Sequence, residues 1–336
     1  MKFTAIGENI HCTRSRKTTG KFVSADASGK ASVLFGNGSG GAAALPVPDH
    51  ITGGDEWKNG KVRHVAVAVF QGLHGDNAAR ENAAECIRAM AREQELSGAS
   101  FLDVNVDEFS TDIEEKTAAM RWVVAKAQEG SRLPVSIDSS NASIAEAGLR
   151  ACAAGRGKPL LNSVSLEREQ MIPLAAEHHA KVIAGASGRS SMPDSVEGRM
   201  ANIAELLGIL RGNGFNDDDI FIDPLVMPVS VDVTNGLKII DTVCAVRKEY
   251  GNAIHFAPGI SNVSFGMPKR SLINFRFAWL CMRHGCDGGI VDPLQINEKL
   301  LAEAVDSPAG KLAQDLLCGL DEFGMEFITA VREGAI

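Results

Sequence analysis

The stretch GISNVSFGMP, at residues 259–268, follows a short apolar run from Ile254 to Pro258 and precedes a helical pattern from Ser271 to His284. This order predicts a loop at the carboxyl end of a β-strand. Three earlier stretches have the same form, in which a short strand rich in Leu or β-branched residues runs into one Asp or Asn; they are SIDSSN (136–141), LLNSV (160–164) and FIDPL (221–225). One amide or carboxylate side chain is therefore expected at the end of each of four strands.

Helical and strand patterns alternate along most of the chain, beginning with a helix that Asp76 is placed to cap and that continues to about Ser97. Eight strands are predicted, each followed by a helix, at residues 3–9, 101–106, 135–138, 160–164, 181–186, 220–223, 254–258 and 288–291. Short apolar strands separated by helices are typical of a parallel sheet covered on its outer side. No Gly-x-Gly-x-x-Gly sequence follows the first strand, so the pattern favours a (β/α)8 TIM barrel of the α/β class over a doubly wound sheet.

Residues 12–75 interrupt this alternation directly after the first strand. The segment is rich in glycine and mostly without period, although the runs 21–23 and 31–35 flank the sequence DASG like a hairpin. We expect a single domain over residues 1–336, in which 12–75 is an insertion that forms a lid at the carboxyl-terminal face. Between Cys12 and His64 the insertion has a net charge of +4, which favours contact with an acidic substrate tail or partner protein.

Composition narrows the classes of function. With 336 residues, 45% of them hydrophobic, the chain is long enough to bury a large core. Its net charge of -8 argues against nucleic acid or an anionic membrane surface as a partner. The sequence contains no apolar run long enough to span a membrane and no signal-peptide pattern, so a cytoplasmic protein is expected. The seven cysteines form no Cys-x-x-Cys pair, which indicates reduced thiols.

In a (β/α)8 barrel the carboxyl ends of the strands meet at one face, where the active site lies. Nine polar residues are expected there, namely Glu8, Asn9, Asp103, Asn105, Asp138, Asn162, Asp223, Asn262 and Asp292. A polar residue after a strand can instead serve only to cap the next helix, and both Asp138 and Asn141 are candidates for that role. Asp223 is followed by Pro224, and no helix is expected before about Val233, so a ligand explains its side chain better. Zinc, calcium and P-loop motifs are absent from the sequence, and no bound metal is expected.

Several of these stretches resemble those of the pterin-binding barrel family. The stretches are GENI (7–10), LDVNV (102–106), SIDS (136–139), LNSV (161–164), IDPL (222–225) and GISNVSFGMP (259–268) followed by Arg270 and Asn274. They are most similar to methyltetrahydrofolate:corrinoid methyltransferases, over residues 1–10 and about 76–295. Dihydropteroate synthase shares the barrel, but PLVMP at 224–228 stands where that enzyme has a Gly- and Phe-rich loop that ends in Lys.

The resemblance implies roles for the matched positions. Asp138, Asn162 and Asp223 would hold the donor-rich edges of a pterin ring. Asn262 would approach N5, the nitrogen that carries the methyl group, and would be the catalytic residue. Asn105 would form part of the pocket wall, and Ser264, in the same loop as Asn262, would also bind the pterin.

For the reaction, the resemblance implies methyl transfer between N5 of tetrahydrofolate and a corrinoid, in one-carbon or demethylation metabolism and in either direction. An Asp-x-His-x-x-Gly corrinoid-binding sequence is absent, so cobalamin is expected to arrive on a partner corrinoid protein. No His or Lys is expected at the matched strand ends, which leaves hydrogen-bond polarisation of N5 as the catalytic device. The alternatives are a dihydropteroate synthase-like pterin enzyme and a pterin-binding module without catalysis. The family also suggests a homodimer.

Overall fold

The computed structural model describes residues 2–36 and 42–336. Over these residues the strands are β1 (Thr4–His11), β2 (Arg16–Lys17), β3 (Val23–Ala25), β4 (Ala31–Gly36), β5 (Ala42–Pro46), β6 (Lys61–Val62), β7 (Phe101–Asn105), β8 (Val135–Asp138), β9 (Leu160–Val164), β10 (Lys181–Gly185), β11 (Ile220–Asp223), β12 (His255–Phe256) and β13 (Gly288–Val291). The α-helices are α1 (Asp49–Thr52), α2 (Asp55–Lys58), α3 (His64–His74), α4 (Asn77–Leu96), α5 (Ile113–Gly130), α6 (Ala142–Ala151), α7 (Met171–Glu177), α8 (Val196–Gly212), α9 (Asn235–Tyr250), α10 (Arg270–Arg283), α11 (Glu298–Ala302), α12 (Pro308–Leu317) and α13 (Met325–Arg332). Short 3-10 helices occupy Leu166–Arg168, Asp217–Asp219, Ile260–Ser264 and Glu322–Gly324.

Eight strands form one sheet in the order β12-β11-β10-β9-β8-β7-β1-β13. The pairs β7/β8, β9/β10, β10/β11, β11/β12 and β1/β13 are all parallel. The two end strands of this order meet just beyond β12, where Gly259 and Ile290 form a parallel bridge and the Ile290 N–H donates to the Pro258 carbonyl at 2.9 Å. The predicted (β/α)8 barrel, with a long insertion after its first strand, is confirmed.

Contacts between Cα atoms divide the chain into two compact units. The amino-terminal unit comprises residues 8–97 and 101–159, and the carboxyl-terminal unit comprises the residues up to 7, 98–100 and 160–336. In the amino-terminal unit, Leu102 and Val104 of β7 are fully buried, as are Ile87 of α4 and Met120 of α5. Successive residues of a strand point to opposite faces, so Asp103 and Asn105 lie on the face opposite to Leu102 and Val104.

The strand and helix bounds differ from the predicted ones in few places. β1 continues to His11, two residues beyond the predicted end, and β12 is shorter than the predicted strand. The helix expected from Arg168 is divided into a 3-10 turn and α7. Among the described residues, no helix combines the length and the apolar character that a membrane crossing requires.

The insertion contains more regular structure than its sequence predicts. The expected hairpin is present, with β3 and β5 pairing antiparallel to β4, and β2 pairs with β6. The helix α3 was missed, because its sequence HVAVAVFQGLH alternates Val and Ala like a strand. Tertiary packing overrides that preference: eight of its residues are buried, and a Cβ on Gly72 would lie 2.1 Å from the Trp122 ring.

Candidate active site

In the amino-terminal unit, the ends of β1, β7 and β8 bring a histidine and two carboxylates together. The His11 Nε2 atom lies 2.9 Å from Asp103 Oδ2. Asn105 donates from Nδ2 to Asp138 Oδ2 at 3.0 Å, and its own oxygen accepts from the Asp107 N–H at 3.0 Å. Asn105 and Asp138 are register partners in the β7/β8 pair, so the sheet itself places these two predicted site residues side by side. Asp103 is fully buried, and His11 is 8% exposed.

Burial and the neighbouring carboxylate raise the pKa of Asp138 to about 7. Burial is the larger cause, Asp103 adds to it, and His11 and the Asn105 amide act in the opposite direction. The pKa of His11 is also raised; burial lowers it, but the hydrogen bond and charge of Asp103 outweigh that effect. Asp138 is therefore a carboxyl group that changes protonation near neutral pH.

The loop after β8 is fixed by its own contacts. Ser139 donates from Oγ to Asp107 Oδ1 at 2.7 Å. Asn141 caps α6, and its side-chain oxygen accepts from the N–H groups of Ser143 at 3.0 Å and Ile144 at 3.3 Å. The capping role considered for Asn141 is confirmed. Ligand binding by Asp138 stays a prediction.

In the carboxyl-terminal unit, Asp223 ends β11 and accepts backbone hydrogen bonds from two loops. The Leu225 N–H donates to Asp223 Oδ1 at 3.0 Å, and the Gly259 N–H also donates to this carboxylate. Burial raises the pKa of Asp223 to about 6, although both N–H groups and the Arg199 guanidinium lower it. The Gly259 contact joins the end of β11 to the loop that carries Asn262.

Asn262 lies in the 3-10 helix Ile260–Ser264 and is exposed. A Cβ on Gly259 would lie 3.0 Å from Asn262 Nδ2, so the missing side chain at 259 leaves room for the amide. Asp223 and Asn262 are thus brought together within one unit through Gly259. Ser264 is fully buried and supports this loop: its hydroxyl donates to the Ser261 carbonyl at 3.3 Å and accepts from Arg270 Nε at 3.0 Å. Direct contact of Ser264 with a pterin remains a prediction.

Asn162 lies in β9 and pairs in register with Ile183. The register shifts after this pair, so Ser163 is an extra residue in β9. Arg168 donates from Nη2 to the Ser163 hydroxyl at 3.2 Å. The bulge re-aims the end of the strand directly after Asn162.

The structure adds two residues that the sequence analysis did not assign. His11 was missed because the first strand was predicted to end at Asn9; the alternation of β1 could have included it. Arg199 of α8 is 1% exposed and donates to the carbonyls of Pro224 at 2.8 Å, Ser195 at 3.1 Å and Leu225 at 3.5 Å. It thereby holds the turn after Asp223, where Leu225 has a φ of 63°. A helical Arg has no sequence signal that separates this buried role from an exposed one.

His11, Asp103 and Asp138 are also the one group, within the described parts of the chain, whose potential metal-ligating atoms all lie within 4.8 Å of one another. The direct contact between His11 Nε2 and Asp103 Oδ2 engages two of those atoms with each other. The geometry is that of a hydrogen-bonded histidine and carboxylate.

Comparison with known proteins places these features in context. Residues 75–292 match the family model for pterin binding enzymes. A curated relative, the methylcorrinoid:tetrahydrofolate methyltransferase of Eubacterium limosum, is 29% identical over 256 residues, which are 74% of this chain and 88% of the relative. Among solved structures, dihydropteroate synthase from Xanthomonas albilineans, in complex with indole-2-carboxylic acid and 6-chloroguanine, superposes with a TM-score of 0.53 at 16% identity, over 66% of this chain and 85% of that one. The dihydropteroate synthase of Stenotrophomonas maltophilia gives 0.52 at 15% identity, over 67% and 90%. At these identities the two structures are evidence of a shared fold alone.

Proposed function

Because the chain belongs to the pterin binding enzyme family, we propose that it transfers a methyl group between a corrinoid and N5 of tetrahydrofolate, in the direction of tetrahydrofolate. The observation that carries the proposal is the pair formed by Asp223 and Asn262, which Gly259 holds together. An acceptor-only carboxylate suits the N–H and amino edge of a pterin, whereas an amide can both donate and accept. The name of the Eubacterium limosum relative supports the same reaction class.

Each residue has a part in this proposal that follows from its chemistry. Asp138, Asn162 and Asp223 bind and orient the pterin ring, and Asn105 holds Asp138 through its amide. The corrinoid, cobalamin carried by a partner protein, supplies the methyl group. Asn262 faces N5, where its amide oxygen accepts from the N5–H of tetrahydrofolate while the N5 lone pair bonds to the methyl group. The electron pair of the broken bond stays with the corrinoid, and the N5 proton leaves to solvent. In 5-methyltetrahydrofolate, which has no proton on N5, the Asn262 NH2 group donates to the N5 lone pair. A neutral amide can follow the charge on N5 in this way without carrying a proton itself.

The test of the reaction is the visible spectrum of cob(I)alamin mixed with the protein and 5-methyltetrahydrofolate, which is the reverse direction of the same equilibrium. We expect conversion to methylcobalamin, and loss of the methyl group from the folate in equal amount. Folate binding without any spectral change, with corrinoid free or protein-bound, would identify a pterin-binding module instead. Formation of dihydropteroate from a pterin pyrophosphate and an aryl amine would identify the synthase alternative.

Replacement of Asp223 tests the binding part of the proposal. Asp223→Asn should weaken folate affinity by about tenfold, since the new NH2 group faces donors on both the backbone and the pterin. The ring is held in the ground state and in the transition state alike, so the rate in a single turnover at saturating folate should change much less. Equilibrium titration and single-turnover methyl transfer measure the two quantities. A large loss of rate with unchanged affinity would contradict this role for Asp223.

We further propose that the insertion, residues 12–75, is a lid that meets the corrinoid protein. Lys17 and Lys61 lie directly opposite each other in the β2/β6 pair, an arrangement that costs stability and favours an anionic partner. Arg14 is unsuited to a test because it pairs with Glu8 at 3.1 Å. Replacing Lys17 and Lys61 by Ser should slow transfer with protein-bound corrinoid about tenfold at low salt and spare free cobalamin.

The control for this experiment is Lys30→Ser, which removes an exposed lysine from the turn between β3 and β4 of the same insertion. The difference between the Lys17/Lys61 variant and the parent should shrink as salt is added, since exposed charges are screened. Equal losses of transfer rate with free and protein-bound corrinoid would show that Lys17 and Lys61 shape the pocket.

The homodimer is a separate proposal, and light scattering of the purified protein tests it.

A further inference from the structure

The inference concerns His11, which the methyl-transfer proposal does not use. Its imidazole is buried at the end of β1 and contacts the fully buried Asp103 at 2.9 Å. Asp138, the carboxylate assigned to the pterin, has an oxygen within 4.8 Å of both partners. Two buried ionisable groups and the half-buried Asp138 thus lie close together, and the charge on each depends on the other two.

The charged groups around this cluster come from three strands and the loop after β7. The negative charges of Asp103, Asp138 and Glu8 act on His11. The charges of Asp103 and Asp107 oppose the ionisation of Asp138, and the charge of His11 favours it. Glu8 is itself paired with Arg14 at 3.1 Å. A positive charge on His11 therefore favours ionisation of Asp138, whereas the charges of Asp103 and Asp107 oppose it.

We propose that His11, held by Asp103, is a positioning residue that keeps Asp138 ionised and so sets the pH range in which the site binds a pterin. The inference rests on the proposed role of Asp138. Only the ionised carboxylate offers two acceptor oxygens to the N–H and amino groups of the ring; the protonated form presents a donor to them. When the charge of the imidazole is removed, Asp103 and Asp107 still oppose ionisation of Asp138, which then keeps its proton to higher pH.

Folate affinity measured against pH tests the proposal. In the parent protein, affinity should fall as pH decreases through the range in which Asp138 gains its proton, about 7. His11→Gln keeps a hydrogen-bond donor for Asp103 but removes the charge. Its midpoint should move up by about one unit or more, as expected when an opposite charge within a few ångströms is lost. Well above both midpoints the variant and the parent should bind equally.

The pH profile separates this role from a merely structural one. Damage to the pocket would weaken binding by the same factor at every pH, and an unmoved midpoint would overturn the proposal. His64→Gln is the matched control: His64 is equally buried in the same unit, but burial lowers its pKa to about 3, so it carries no charge to lose. Its midpoint should equal that of the parent.

Calorimetry in two buffers that differ in ionisation enthalpy gives a second measure that does not depend on methyl transfer. Folate binding near the parent midpoint should release protons, and at that pH the His11→Gln variant should release more of them per folate. Binding that shows no proton release in either protein would also overturn the proposal. Absence of folate binding at every pH would instead contradict the proposed function, so the two failures are distinguishable.

Discussion

Asn262→Ala is expected to slow methyl transfer by about 10²- to 10³-fold, the cost of removing one preorganised polar group at a reacting atom. Folate affinity should change much less. The contact with N5 strengthens as charge develops on that nitrogen, and only such contacts accelerate the chemical step.

Hydrogen bonds fix the backbone of the loop that carries Asn262, and this supports the expectation. The Gly259 N–H is held by Asp223, the Asn262 N–H donates to the Gly259 carbonyl at 3.2 Å, and the Ser264 hydroxyl is locked by Arg270. The Asn262 side chain makes no hydrogen bond to any other residue that the structure describes. A held backbone with an unengaged amide is the arrangement expected of a group reserved for a ligand.

Single-turnover transfer and equilibrium folate binding, measured for the same preparation, decide the point. Asn213→Ala is a suitable control, because Asn213 directly follows α8 at the surface and its amide donates to the Ile209 carbonyl at 2.9 Å. It should transfer methyl at the parent rate. If Asn262→Ala does so too, Asn262 is a turn residue, and polarisation of N5 by this amide is excluded.

Much of the fold could be predicted because each barrel strand carries its own signal. The β8 sequence, VSID, alternates apolar and polar residues and ends in Asp138. The structure gives this strand the limits that the pattern predicts. The helix α3 could not be predicted, since its Val and Ala alternation is typical of a strand and only burial against Trp122 explains it. A pattern within a short stretch of sequence predicts the structure of that stretch, but it contains no information on tertiary contacts with distant residues.

The same distinction holds for the candidate site. Asp138 and Asp223 end strands whose limits the sequence predicts, and Asn262 follows another, so all three were assigned from position. His11 ends β1 beyond the limit predicted for that strand, and its role depends on Asp103, 92 residues away. Its pKa, and that of Asp138, depend on pairings that no short stretch contains. Sequence position therefore indicated candidate site residues, but not the neighbours that shift their pKa values.

The largest loss of stability is expected from Arg199→Met, which should lower the free energy of unfolding by about 2–4 kcal/mol. Met fills similar volume but donates no hydrogen bond, so the carbonyls of Pro224 and Leu225 lose the donor that the structure gives them. Each buried carbonyl without a partner carries a desolvation cost. The loss of a buried cation is itself favourable, because burial lowers the pKa of Arg199, and this keeps the cost below that of a broken buried ion pair.

Denaturant unfolding with Arg150→Met as the control measures this effect. Arg150 is also in a helix and pairs with Glu146, but its side chain is 61% exposed, so the change should cost less than about 1 kcal/mol. Arg199→Met should also weaken folate binding near neutral pH, because the guanidinium lowers the pKa of Asp223 and its loss leaves more of that carboxyl protonated. The folate affinity of Arg199→Met should recover as pH rises, whereas its free energy of unfolding should stay below that of the parent. If Arg199→Met is as stable as the parent, β11 and the Gly259 loop hold the turn after Asp223 without help from α8.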